Sequence, residues 1–214
     1  MKFSLNKIFL NILYCILFAG SLNAGIYSPG VDTIISRDTT GKNHKSINKA
    51  DTESEIKFDK SKLAPQNVRI IFNELFAQYI TIKDALVYGD SYGAKRNTLK
   101  LLDDMKIKTK DIDLLNKDER WFFFINNFDK IRGKAESTVF ISDQRFLFNE
   151  ITNGISNFIK QFGLHKKTIY LMKCTAVSQT GNTEWFSDFK DKKNPYLGLT
   201  NDTAYMIVKE VWKF

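Results

Sequence analysis

The sequence predicts a mainly α fold: an up-and-down four-helix bundle, closed by a short C-terminal β-like hairpin and a closing segment. Three observations carry that prediction. Apolar residues recur at steps of three and four in separate stretches between residues 65 and 163, the period of an amphipathic helix. Glycines and small capping residues punctuate those stretches at short intervals, as they do where antiparallel helices turn back on one another. After Gly163 the pattern changes to a short β-prone run, TIYLM at 168–172, followed by turn signals.

The first helix opens at Pro65, since proline is tolerated in a first helical turn. Val68, Ile71, Phe72, Leu75, Tyr79, Ile82 and Leu86 form its apolar stripe, and Gly89 ends it. Asp90 or Ser91 caps the second helix, whose narrower apolar face holds Ala94, Leu101, Leu102 and Met105. Residues 106–117 are largely polar and read as a loop or a fraying end. The third helix starts at Asp118, where acidic residues favour the positive end of the helix dipole. Trp121, Phe124, Ile125, Phe128 and Ile131 form its core face, with Gly133 at its exit. A fourth begins near Ser142 or Asp143, buries Phe148, Ile151, Ile155, Phe158, Ile159 and Phe162, and stops at Gly163.

Beyond the helices, residues 168–172 read as one short strand. Gly181-Asn182 is a turn signal, and 183–186 pairs back as a second strand. Asn194-Pro195 is a turn initiator, because the proline pushes the preceding residue toward extended backbone. Residues 204–212, AYMIVKEVW, close the chain as a helix or a strand, which periodicity alone does not separate.

The start of the chain has a different character. Lys2 and Lys7 precede a mostly apolar run from Ile8 to Ala19, and small residues follow up to Ala24. That order is the mark of a secretory signal peptide over 1–24, and the run is short of the roughly 20 residues that span a bilayer. Export to the periplasm or the exterior, without a membrane-embedded segment after cleavage, is the expectation. Residues 25–62 carry no periodic apolar face and read as a flexible leader whose loss leaves stability unchanged, ahead of a helical domain over 63–214.

The chain of 214 residues carries a net charge of +8, falling to +6 once Lys2 and Lys7 leave. The charges are interspersed, as in KDIDLLNKDER, which marks a solvated surface and not a nucleic-acid stripe. No Gly-rich phosphate loop, His-Glu-x-x-His or Cys-x-x-Cys is present. Cys174 and His165 stand nine residues apart with nothing to orient the imidazole, so no catalytic residue is assigned. With Cys15 inside the signal, Cys174 is the one cysteine of the mature chain. Two readings of it stand: a small buried hydrophobe, or a thiolate kept for metal or redox chemistry.

Five short patterns then carry a resemblance. Tyr79-Ile80-Thr81-Ile82-Lys83-Asp84-Ala85-Leu86 resembles the Y-x-x-x-K-D-A-L opening helix of the periplasmic domain of unknown function 3347 family. Arg145 and Phe148 resemble its R-x-x-F helix. Tyr170-x-x-x-Cys174, Trp185 with Ser187, and Asn194-Pro195-Tyr196-x-Gly198 resemble its C-terminal signature in the same order. The resemblance implies a non-catalytic helical domain of the Gram-negative envelope, found beside or fused to adaptor subunits of copper and silver efflux systems. Efflux components are then the implied partners and Cu(I) the implied cofactor. Family members carry Cys-Pro-Met at the first site, with a Met and a Cys-Gly after Asn-Pro-Tyr. Here Cys174 is followed by Thr175 and Ala176, and Met172 and Met206 stand displaced from the family positions. Thiolate and thioether ligands suit Cu(I), so the expectation is soft-metal binding that is weak or lost, on Cys174, Met172 and Met206. The alternative is a metal-free interaction module that docks a partner on an aromatic C-terminal surface of Trp185, Phe186, Phe189 and Tyr196. Arg145, Trp185, Asn194, Pro195 and Tyr196 are the binding or structural candidates.

Overall fold

A computed structural model describes residues 53–175, 184–191, 193–199 and 206–214. The signal peptide and the Gly181-Asn182 turn lie outside the described residues.

The fold is mainly helical, with a small sheet. Helix α1 runs Gln66–Val87, α2 Ser91–Thr109, α3 Asp113–Asn116, α4 Glu119–Ser137 and α5 Ile141–Phe162. The α1–α2 turn shows how local chemistry sets these boundaries. Gly89 has φ +72, the left-handed conformation that a Cβ disfavours. Its N–H donates to the Leu86 carbonyl, and the Asp90 N–H donates to that of Ala85, so two orphan carbonyls of α1 are satisfied. Asp90 then caps α2, its carboxylate accepting from the Gly93 N–H at 2.8 Å. Asp118 does the same for α4, accepting from Arg120 and Trp121.

Two boundaries differ from the sequence reading. Residues 106–117 are not a loop: α2 continues to Thr109, and the extra helix α3 follows. Met105, Thr109 and Leu115 are fully buried there, so tertiary packing outweighs the polar composition of the segment. Gly133 does not end α4, which passes through it to Ser137. A glycine inside a helix costs about 1 kcal/mol relative to alanine, and the buried Ile131 and Ala135 on either side hold the helix together.

The four long helices pack α1 on α2 and α5, and α4 on α2 and α5. Phe72, Trp121, Phe158 and Phe162 pack at their centre in tilted and edge-to-face pairs, with ring centroids 5.0–5.8 Å apart.

The C-terminal part is larger than a hairpin. Strands β1 (Ser54–Lys57), β2 (Thr168–Cys174), β3 (Glu184–Ser187) and β4 (Met206–Lys213) form one sheet in the order β1-β4-β2-β3. The expected β2–β3 pair is present and antiparallel. The closing segment is resolved as a strand, β4, antiparallel to β2. Its β-branched and aromatic residues favour that state, and Trp212 is fully buried against Phe186 at 4.9 Å.

The leader assignment is corrected at its C-terminal end. Residues 54–57 pair with β4 in parallel, and Phe58 stacks on Phe214 at 4.3 Å and packs at a tilt against Trp212 at 5.5 Å. A strand of SEIK carries little apolar signal of its own, and only the waiting edge of β4 recruits it.

Candidate functional site

The sheet gathers the three sulfur residues. Cys174 stands directly opposite Met206 in the β2–β4 register. Met172 stands two residues before Cys174, hence on the same face of β2, and opposite Trp185 of β3. Directly opposed residues of an antiparallel pair carry their side chains on one face with Cβ atoms about 5 Å apart. Cys174, Met206, Met172 and Trp185 therefore share one side of the sheet, and all four are buried. Strand pairing brings Met206 opposite Cys174 although the two are far apart in sequence. Cys174 is a free thiol.

The remaining motif residues form a connected structural unit around that sheet. The Tyr79 hydroxyl, fully buried on α1, accepts from the Phe186 N–H at 3.1 Å and shares a hydrogen bond with Thr152 Oγ1 at 3.0 Å. Lys83, one turn on, is also fully buried; its ammonium donates to Ser187 Oγ at 3.2 Å and sits 3.6 Å from Asp191. Arg145 on α5 donates through Nε to the Pro195 carbonyl at 3.0 Å and through Nη2 to that of Leu86 at 3.4 Å. One guanidinium thus ties the Asn-Pro-Tyr turn to the end of α1.

The turn is shaped from within. Asn194 is buried, and its Oδ1 accepts from the N–H of Tyr196 at 2.8 Å and of Leu197 at 3.3 Å, an Asx turn. Gly198 closes it by donating to the Asn194 carbonyl at 2.9 Å. It has φ +76, a backbone conformation that favours glycine, and a Cβ there would displace Arg145 Nη2, 2.8 Å away. Tyr196 fills the space between Phe148 of α5 and Trp185 of β3, at 5.9 and 6.2 Å, and its hydroxyl donates to the Glu184 carbonyl. Burial pushes the Tyr79 and Tyr196 hydroxyls well above the usual phenol range, so both act as neutral hydrogen-bonding groups.

This geometry corrects the docking expectation. Trp185, Phe186 and Tyr196 are buried core rings, and of the four nominated aromatics only Phe189 is exposed. The sequence signals of an aromatic surface and of an aromatic knot are identical; only the fold separates them. Arg145, Asn194, Pro195 and Tyr196 are tied into the fold by hydrogen bonds between the turn, α1, α5 and β3. Within this unit Trp185 Nε1 and Asn194 Nδ2 are buried donors without a partner among the described residues.

His165 and Cys174 flank β2 at opposite ends, separated by about 20 Å of extended chain, so they are not brought together. Lys83 is the residue that reading the sequence for chemistry missed. Its signal was present, a lysine at stripe spacing between Ile82 and Leu86, which marks a charge carried to the edge of a buried face. A groove of about 750 Å³ between α4 and α5 is lined by none of the candidate site residues.

No curated protein and no solved structure matches the chain. A protein-family model does match over residues 75–167. That span holds Tyr79, Lys83, Arg145 and Phe148, and it ends before β2. In that span the chain is similar to the family described as "Protein of unknown function (DUF3347)".

Proposed function

We propose that the chain is a non-catalytic, exported envelope domain whose Cys174, Met206 and Met172 form a soft-donor site of low affinity for Cu(I). Its four long helices, arranged as an up-and-down bundle, serve as the frame that holds the sheet. The observation that carries the reading is the register of β2 and β4, which sets Cys174 opposite Met206 with Met172 on the same face. One thiol and two thioethers are a donor set that fits Cu(I), which accepts two or three soft ligands. Among the described residues no cluster of three or more His, Cys, Asp or Glu is placed to hold a metal ion. The low affinity follows from ligand count: one anionic donor holds the charge, and two neutral thioethers add little to it. Export rests on the basic, apolar and small-residue order of residues 1–24. A working relation to copper or silver efflux systems rests on the sequence resemblance.

The test is a Cu(I) competition titration against a chromogenic chelator under reducing conditions. Wild-type protein is expected to take Cu(I) weakly, Cys174→Ser to abolish the uptake, and Met206→Leu to weaken it more than a surface substitution such as Lys209→Leu. Tight binding that survives Cys174→Ser places the ligands elsewhere. Absence of binding by the wild type makes the three sulfurs core packing.

A further inference from the structure

One end of the helical layer carries a cluster of large apolar side chains that the fold does not use. The α1–α2 turn and the α4–α5 turn lie side by side there, joined by hydrogen bonds from Ser91 Oγ to the Val139 carbonyl and from Lys95 Nζ to the Glu136 carbonyl. Tyr88 and Tyr92 belong to the first turn, Val139 and Phe140 to the second. Phe146 follows on α5, and Leu199 comes in beside Gly198, which lies against Arg145 and the Val87 carbonyl. All six are between 55 % and 75 % exposed. Exposed apolar residues scattered singly are ordinary, whereas a contiguous group marks an interaction surface.

Two details separate this end from chance exposure. Helix–helix turns normally carry polar residues that cap the next helix, and here α2 and α4 are capped by Asp90 and Asp118. At the equivalent position of α5 stands Phe140, which like Pro65 of α1 and Ile112 of α3 makes no side-chain cap, and its ring is in water. The turn gives up a cap and gains an exposed ring, which helps folding in neither respect. The second detail is charge. The Arg96 guanidinium sits 5.7 Å from the Tyr92 ring centroid and the Lys193 ammonium 5.9 Å from that of Tyr88. Neither cation has an ion pair among the described residues, and Lys95 and Arg145 bind only carbonyl oxygens. The nearby carboxylates are Asp90, engaged as a cap, Glu136 and Glu150, paired with Arg132 and Lys134, and Asp143 in the first turn of α5. Tyrosine rings beside unpaired cations, with protruding Phe and Val, combine the side chains that settle at a bilayer interface and the charges that meet lipid phosphates. No helix among the described residues is long and apolar enough to cross a membrane, so contact at this end is by lying on the surface.

We infer that this end of the protein docks peripherally on an anionic lipid bilayer, with Val139 and Phe140 entering the interface and Arg96 and Lys193 facing the phosphates. The test is co-sedimentation of the full chain with vesicles of phosphatidylcholine alone and of phosphatidylcholine with phosphatidylglycerol, at low and high salt. The wild type is expected to bind the anionic vesicles and to be released by salt, since exposed charge pairs are screened. The Val139→Ser/Phe140→Ser variant is expected to bind about tenfold less tightly, the equivalent of roughly 1.4 kcal/mol. The Arg96→Glu/Lys193→Glu variant should lose the preference for anionic lipid. These positions are exposed, so circular dichroism and melting should match wild type. Phe122→Ser/Phe123→Ser is the control: those rings are also exposed, but lie about 20 Å back along α4. The inference fails if no vesicle is bound, or if the control variant weakens binding as much as the turn variant. It also fails if the turn variant alters only self-association in sedimentation velocity, which would assign the face to a second protein chain.

Discussion

Lys83 offers a sharp test of which group in the buried charge cluster is the costly one. The lysine is 1 % exposed, whereas its two carboxylate neighbours keep water, Asp84 at 43 % and Asp191 at 25 % side-chain exposure. The ammonium is therefore the desolvated ion, held by Asp84 at 3.3 Å, Asp191 at 3.6 Å and Ser187 Oγ at 3.2 Å. Stranding a buried charge by removing its partners costs about 3–5 kcal/mol. Asp191→Asn leaves Asp84 in place and should cost roughly half of that, while Asp84→Asn/Asp191→Asn should reach the full ~3–5 kcal/mol. Lys83→Met strands nothing, because the carboxylates are hydrated and Ser187 still donates to Asp191 at 3.0 Å. Its cost should stay within about 1 kcal/mol. The decisive measurement is the combination. Added to the double carboxylate variant, Lys83→Met should raise stability, because it removes the stranded charge. Urea unfolding at constant m-value reads all four variants. A Lys83→Met variant as unstable as the double carboxylate variant would refute the assignment, as would a triple variant no more stable than the double.

Further expectations concern the sheet and the helix caps. Trp185→Ala should cost about 3–5 kcal/mol, as for other fully buried aromatics, and a loss under about 1 kcal/mol in denaturant titration would mean that the ring is not packed as described. Deleting residues 1–62 removes β1 and the Phe58 packing on Phe214 and Trp212; it should cost about 2–3 kcal/mol, whereas deleting residues 1–52 isolates any share of the preceding chain. Asp118 should give a measurable acid limb. The Arg120 guanidinium, with the Arg120 and Trp121 N–H groups, holds its carboxyl below the usual carboxylate range. The stability it adds is complete above the unfolded value of about 3.9 and is lost as pH falls through the lower folded value. Asp118→Asn should flatten that limb in acid titration, and an unchanged profile would show that the cap carries no charge-dependent stability.

What the sequence determined by itself was local. Stripe spacing and punctuation placed α1 and α5 within a few residues, and Gly89, Asp90 and Asp118 marked the end of α1 and the starts of α2 and α4, because capping and left-handed backbone are decided by a residue and its immediate neighbours. The Asn-Pro-Tyr-x-Gly turn was legible for the same reason. Tertiary structure alone decided the rest. β1 has almost no apolar content and exists because β4 offers an unpaired edge; α2 runs on to Thr109 and α3 follows because Thr109 and Leu115 find the core. The same holds for the candidate site. Met206 lies 32 positions after Cys174, and only the β2–β4 register sets them face to face. Trp185 and Tyr196 carried the same composition whether they formed a surface or a knot. Their place was settled by Arg145 and Lys83, which reach from the helices to hold the turn and β3 over the rings. A side chain's own chemistry says what it can bind; pairing between distant strands and helices says what it meets.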